Sequence, residues 1–165
     1  MNKPVFKFQT QFKKGKKAEE VFLKYFKLNG ESLQVSGVMD YDFQTASGLR
    51  VELKTDYHDS RNFYIERSFG KSGNEKPGSF WQSCAKSVDV FIYWFPLTGE
   101  VFLFPRLKAA VKYLDSYIKT MNLTPNTVQN IGFCGIGYKI PKAALKHLYE
   151  QEELHVPLEE LNNGV

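Results

Sequence analysis

Met39-Asp40-Tyr41-Asp42-Phe43 and Arg50-Val51-Glu52-Leu53-Lys54-Thr55 are two short runs in which charged and apolar residues alternate. Side chains on a strand point to opposite faces with period two, so Asp40 and Asp42 share a face, as do Glu52 and Lys54. Tyr41, Phe43, Val51 and Leu53 point the other way. Between the runs, Ala46-Ser47-Gly48 suits a three-residue hairpin loop with glycine in the left-handed position. The pattern predicts strands over about 33–43 and 49–56, paired in a register symmetric about Ser47. Asp42 then opposes Glu52, and Asp40 opposes Lys54. Opposed residues on one face have Cβ atoms roughly 5 Å apart, close enough for two carboxylates to share one cation. Without a cation they repel each other.

Working outward, residues 17–28 read as a helix, because Val21, Phe22, Tyr25, Phe26 and Leu28 recur at three- and four-residue spacing before Asn29-Gly30 stops it. Downstream of the hairpin a third strand is expected at 62–66, followed by a long basic loop over the glycine-rich stretch 68–79. Ser79 is placed to cap a short helix reaching Lys86. Asp89-Val90-Phe91-Ile92-Tyr93-Trp94-Phe95 is apolar without alternation, as in a central strand covered on both faces. Thr98-Gly99 turns into a strand over 100–104, a helix runs from Pro105 to about Met121, a short strand lies near 135–140, and a final helix starts at Pro141. The order is helix, three strands, helix, strand, then additions. That order implies an α/β or α+β class, a mixed β-sheet core flanked by helices.

The 165 residues suit one domain: a basic N-terminal arm over 1–16, a core over about 17–104, and C-terminal additions over 105–165. At 42% hydrophobic and 24% charged, with no apolar run long enough to cross a bilayer, the chain is expected to be cytoplasmic and to have no membrane partner. Cys84 and Cys134 read as buried free thiols, and with His58, His147 and His155 they make no zinc spacing. His58 reads as an exposed turn residue. A site made of oxygen donors alone favours magnesium or manganese. The net charge of +4 is unevenly spread, with Lys3, Lys7, Lys13, Lys14, Lys16 and Lys17 ahead of the first acid, and Arg61, Arg67, Lys71 and Lys76 after the hairpin. Such clusters attract a phosphate backbone.

Asp42, followed after nine residues by Glu52-Leu53-Lys54, behind an amphipathic helix and ahead of a helix-strand unit, resembles the PD-(D/E)xK nuclease superfamily. The resemblance covers about 20–95, with Tyr41 standing where the motif's proline would be. It implies a restriction-endonuclease-like fold of order αβββαβ and magnesium- or manganese-dependent hydrolysis of DNA. Asp42, Glu52 and the Leu53 main-chain carbonyl would hold the metal, and Lys54 would orient the attacking water. Glu20, or its neighbour Glu19, resembles the acid many members carry on the first helix. Asp40 and Glu66 would be accessory acids, and Gln82, near Trp81 and Lys86, a helix residue touching DNA or water. The DNA contacts would come from Lys13, Lys14, Lys16, Lys17, Arg61, Arg67, Lys71 and Lys76. The enzyme implied is a small endonuclease of the phage or mobile-element kind, in the host cytoplasm if phage-encoded, acting on DNA structure or ends. A Holliday-junction-resolvase-like enzyme, a noncatalytic nucleic-acid-binding module and a homodimer stay open as alternatives.

Overall fold

The amphipathic N-terminal segment forms α1 (Phe8–Tyr25) in the computed structural model, which describes residues 8–71, 73–130 and 133–162. The helix starts well before residue 17, so Lys13, Lys14, Lys16 and Lys17 ride on its turns instead of on an arm. Lys3 and Lys7 lie outside the described residues. After α1 come β1 (Lys27–Leu28), β2 (Glu31–Val35), β3 (Phe43–Thr45) and β4 (Arg50–Thr55). Then follow β5 (Asn62–Lys71), β6 (Asn74–Pro77), α2 (Ser79–Ala85), β7 (Val90–Phe95), β8 (Glu100–Phe104) and α3 (Leu107–Thr120). The chain closes with β9 (Asn126–Asn130), β10 (Phe133–Pro141), a 3-10 turn at Lys142–Leu145, β11 (Glu150–Glu153) and α4 (Leu158–Asn162).

Seven strands form one sheet in the order β1-β2-β3-β4-β7-β8-β11, and four form another in the order β6-β5-β10-β9. All pairings among them are antiparallel except β4 with β7, which is parallel. The class is thus mixed α+β. Parallel neighbours need a crossover, and β5, β6 and α2 supply it.

Several expectations are corrected. The strand foreseen over 33–43 is broken, because the chain leaves the sheet after Val35 and rejoins it at Phe43. Ser36-Gly37 is the physical cause: the Ser36 hydroxyl takes the Val38 amide at 3.1 Å, a local bond that competes with the ladder. The strand expected at 62–66 is part of the ten-residue β5 and pairs with β10 and β6, so the three-stranded meander is β2-β3-β4 instead. The stretch 68–79 is no loop: β5 runs on to Lys71 and β6 returns antiparallel to it. Gly78 lets the two backbones cross closely, since a Cβ there would sit 1.6 Å from the Glu66 carbonyl oxygen. The helix foreseen from Pro141 shrinks to the single 3-10 turn before β11.

The central sheet is covered on both faces. On one, Ala18, Val21 and Phe22 of α1, with Phe26 just beyond it, pack against Phe43, Val51, Leu53, Val90, Ile92 and Trp94. On the other, Phe91, Tyr93 and Phe95 meet Phe63 and Ile65 of β5, Phe80 of α2, and Leu107, Ala110 and Leu114 of α3. All six residues of β7 are buried, which is why its sequence shows no alternation. Each large apolar side chain so buried contributes roughly 1.5–3 kcal/mol, and the two layers enclose β7, the strand that β4 pairs with. No helix of the described residues is long and apolar enough to cross a membrane.

Candidate functional site

The site begins with a strand that is too short. β3 pairs with β4 only at Phe43 with Val51 and Gln44 with Arg50, a register symmetric about Ser47. Gly48 turns the hairpin at φ +93°, and Glu31 fixes the loop by accepting bonds from the Ser47 amide at 2.8 Å and hydroxyl at 2.7 Å. Just before β3, the Asp42 amide donates to the Val51 carbonyl at 3.0 Å, one residue out of the Phe43–Val51 register, so the ladder is irregular here and the expected opposition of Asp42 to Glu52 is not continued by the strand pairing. The Asp42 carboxylate then takes the place of a neighbouring strand, its Oδ2 accepting the Leu53 amide at 2.8 Å. The N–H and C=O of one strand residue point to the same side, so the Leu53 carbonyl faces this same edge. At the other flank, Arg50 is clamped to Asp89 by bonds of 3.0 and 3.2 Å from its guanidinium, tying the start of β4 to the start of β7.

Glu52 and Asp42 are joined by a third acid, Glu19 of α1. Burial pushes the Glu52 carboxyl up to about 8, and the charges of Asp42 and Glu19 push the same way against Lys86 and Lys54. Burial likewise raises Glu19 to about 7, with Asp42 and Glu20 adding to the rise and Lys16 opposing it. Asp42 is also held above its ordinary value by burial, against the Leu53 amide and the Lys86 charge. Three carboxyls from three separate segments thus share a region in which burial holds each above its ordinary value. Among the described residues no group of three or more such side chains is set in a metal-ready cage. Glu19 and Asp42, though not Glu52, line a groove of about 330 Å³ together with Lys16, Glu20, Val38 and Met39, among others.

The remaining residues singled out in the sequence divide sharply. Asp40 does not oppose Lys54; it stands in the turn of the interrupting loop, 3.5 Å from the Lys86 ammonium. Lys54 sits beside Tyr93 in the parallel ladder, near enough for its charge to act on Glu52. Glu20 is exposed and pairs with Lys17 at 3.8 Å, so of the two neighbours it is Glu19 that turns toward the acids. Glu66 acts on Tyr64 and Tyr93, whose phenols it helps raise, and is not among the charges shifting Glu19, Asp42 or Glu52. Gln82 is half-buried on α2, one turn before Lys86. Arg67 lies over the Trp81 ring at 4.3 Å and reaches Asp115 at 3.6 Å. Arg61, Lys71 and Lys76 are exposed on and beside the β5-β6 ribbon, and Lys13 and Lys16 are exposed on α1. Lys14 and Lys17 are half-buried there. His58 is exposed, its Nδ1 2.7 Å from Asp56. Cys84 and Cys134 are free, but partly exposed instead of buried.

Sequence reasoning gave Lys86 no role of its own, yet its charge acts on both Asp42 and Glu52. The signal was its four-residue spacing from Gln82, which puts both on one side of α2. Comparison with known families, with curated proteins and with solved structures finds no match for this chain.

Proposed function

We propose that the chain is a metal-dependent DNA nuclease built on a restriction-endonuclease-like core, α1 with β2-β3-β4, α2 and β7. The observation that carries the reading is the convergence of Glu19, Asp42 and Glu52, held protonated-prone by burial, beside Lys54 and Lys86. A buried group of acids costs stability unless a cation offsets it, which is the signature of a site built for an ion. Oxygen donors suit magnesium or manganese. Asp42, Glu52 and the Leu53 carbonyl would hold the ion, with Glu19 reaching in from α1.

A divalent ion there supplies positive charge beside the scissile phosphoryl oxygens and lowers the pKa of water. The rest falls to the chain's own groups. With an ion bound, Glu52 and Glu19 would hold it as carboxylates, their protons having passed to solvent. Lys54, two residues from Glu52 on the same strand face, positions the attacking water and stabilises charge on the phosphate. Lys86 faces Asp42 and Glu52 from the α2 side and keeps part of the cluster's charge offset before substrate arrives. Lysines along α1 and on the β5-β6 ribbon add positive charge to the surface, as binding of a polyanion requires.

The test is cleavage of plasmid and branched DNA with magnesium or manganese, by the whole protein and by Glu52→Ala. Cleavage that needs the metal and disappears in the variant supports the reading. Binding without cleavage in any metal points to a noncatalytic module, and the absence of both removes nucleic acid from consideration.

A further inference from the structure

The loop 36–42 that interrupts the sheet carries its apolar side chains outward. Met39 is 99% exposed, Val38 52%, and Val35 at the end of β2 70%. Three of the seven exposed large hydrophobics among the described residues therefore sit on this one short stretch. The loop is pinned in place. Its neck is closed by the Ser36 amide bonding the Asp42 carbonyl at 2.8 Å, the Ser36 hydroxyl takes the Val38 amide at 3.1 Å, and Asp40 meets Lys86. Apolar surface held in water on a fixed frame is the usual mark of a docking surface.

What docks there is set by the opposite wall of the groove that Val35, Val38 and Met39 line. That wall is Lys16, Glu19, Glu20 and Leu23 of α1, which share a side of the helix at three- and four-residue spacing, and Asp42 joins them. The charged lining is thus three carboxyls against one lysine. In the absence of an ion such a wall repels a phosphate or an anionic lipid surface and draws an ammonium or guanidinium. A space of about 330 Å³ admits a few side chains and not a domain, so the occupant is a segment that carries positive charge on one side and apolar groups on the other. Methionine's flexible thioether adapts to whatever apolar shape meets it.

We propose that this groove docks a basic, apolar segment of a partner protein, its lysine or arginine against Glu19, Glu20 and Asp42 and its apolar side chains on Val35, Val38 and Met39. Such a segment covers two of the three acids of the candidate site, so the partner would keep an ion or a substrate away from them. The docking does not depend on the nuclease reading. The experiment is therefore run in chelator and without nucleic acid, as fluorescence anisotropy of a labelled peptide of leucine and lysine titrated with the whole protein. Peptides of serine and lysine and of leucine and glutamate serve as the comparison. The same titrations use Val38→Ser, Met39→Ser and, separately, Glu20→Lys, a side chain 72% exposed on α1 whose exchange keeps the test open if the loop change disturbs the fold. The leucine-lysine peptide is expected to bind at least about 10-fold more tightly than either comparison peptide, and each variant to lose about 10-fold, the weight of one good apolar or charged contact at an interface. Equal affinity for the three peptides, equal affinity of the three proteins, no binding at all, or a wild-type dimer that the serines dissociate, which would give the patch to a second copy, would each overturn the proposal. None of these outcomes bears on cleavage, and a chain that cuts no DNA leaves this test as it stands.

Discussion

Two half-buried groups of charges in this molecule are built in opposite ways. Lys142 and Glu100 meet at 2.6 Å; Thr98 donates to the same carboxylate at 2.8 Å, and the ammonium lies 3.7 Å from the centre of the Phe95 ring. The lysine side chain is 12% exposed and the glutamate 30%, and the Glu100 Oε2 takes bonds from both Lys142 and Thr98. Around Glu19, Asp42 and Glu52 the balance is the reverse: burial raises all three carboxyls, the charge of Asp42 adds to the rise at Glu19 and Glu52, and Lys16, Lys86 and Lys54 only partly counter it. A fold that pairs one half-buried carboxylate leaves another cluster with its carboxyls held above their ordinary values. Structural ion pairs are closed, whereas a site that must take up an ion is left incomplete.

The sharpest way to break this contrast is to remove one member from each group. Glu52→Ala is expected to abolish metal-dependent cleavage, a loss of at least about 10³-fold of the kind seen when a metal ligand or its charge is removed, with its melting temperature held or raised at pH 8 without metal. Lys142→Met should leave cleavage unchanged and cost stability of about 1–2 kcal/mol, discounted for the partial exposure of Glu100, or a few degrees in Tm at this chain length. Kinetics and thermal melts of the two variants decide the point, and swapped phenotypes would erase the distinction. Next in size, Lys54→Ala should remove cleavage while keeping much of the metal affinity, whereas Asp42→Ala should lose both. Calorimetric titration with manganese separates them, and equal losses of binding would assign Lys54 to the ligand set.

Smaller effects follow from the protons. Glu52 and Glu19 hold theirs up to about 8 and 7 in the folded chain against 4.5 as the ordinary value. The folded state therefore binds more protons than the unfolded one between these values, and stability falls as pH rises through them. Melts of chelator-treated protein from about pH 5 to pH 8.5 should show that decline, Glu52→Gln should flatten it, and magnesium or manganese should reverse it. A flat profile in the metal-free protein would mean that the acids are not short of charge. Smallest of all, neutralising Lys13, Lys14, Lys16 and Lys17 should shallow the salt dependence of DNA affinity by roughly 0.9 in slope for each phosphate that the helix no longer neutralises. Filter binding over a range of salt measures it.

Much of the centre is legible in local sequence. Ala46-Ser47-Gly48 fixes the hairpin register because a three-residue loop with a left-handed glycine leaves little choice, and Gly48 adopts that conformation. The unbroken apolar run over 90–95 marks the central strand because both its faces are covered. What is not legible depends on groups distant in the chain. Val35 and Val38 flank Ser36-Gly37 in a pattern that reads as strand, and only the hydroxyl bond at Ser36 reveals a break that moves Asp40 away from Lys54. The strand over 62–66 joins β10 instead of the hairpin because its partner lies far downstream, beyond the reach of periodicity. Glu19 and Glu20 are adjacent on a helix, and which of them faces the acids is set by how α1 seats Ala18 and Phe22 on the sheet. Lys86 enters the site from another element entirely.

The parallel junction of β4 with β7 also orders events in time. β4 bears the acidic motif, and its pairing with β7 forms only after the ribbon and α2 between them have been traversed, a far less local step than closing the β3-β4 hairpin. The nascent polypeptide therefore emerges with Asp42 and Glu52 already near one another through a local hairpin, before β7 joins β4 and the layers over β7 close.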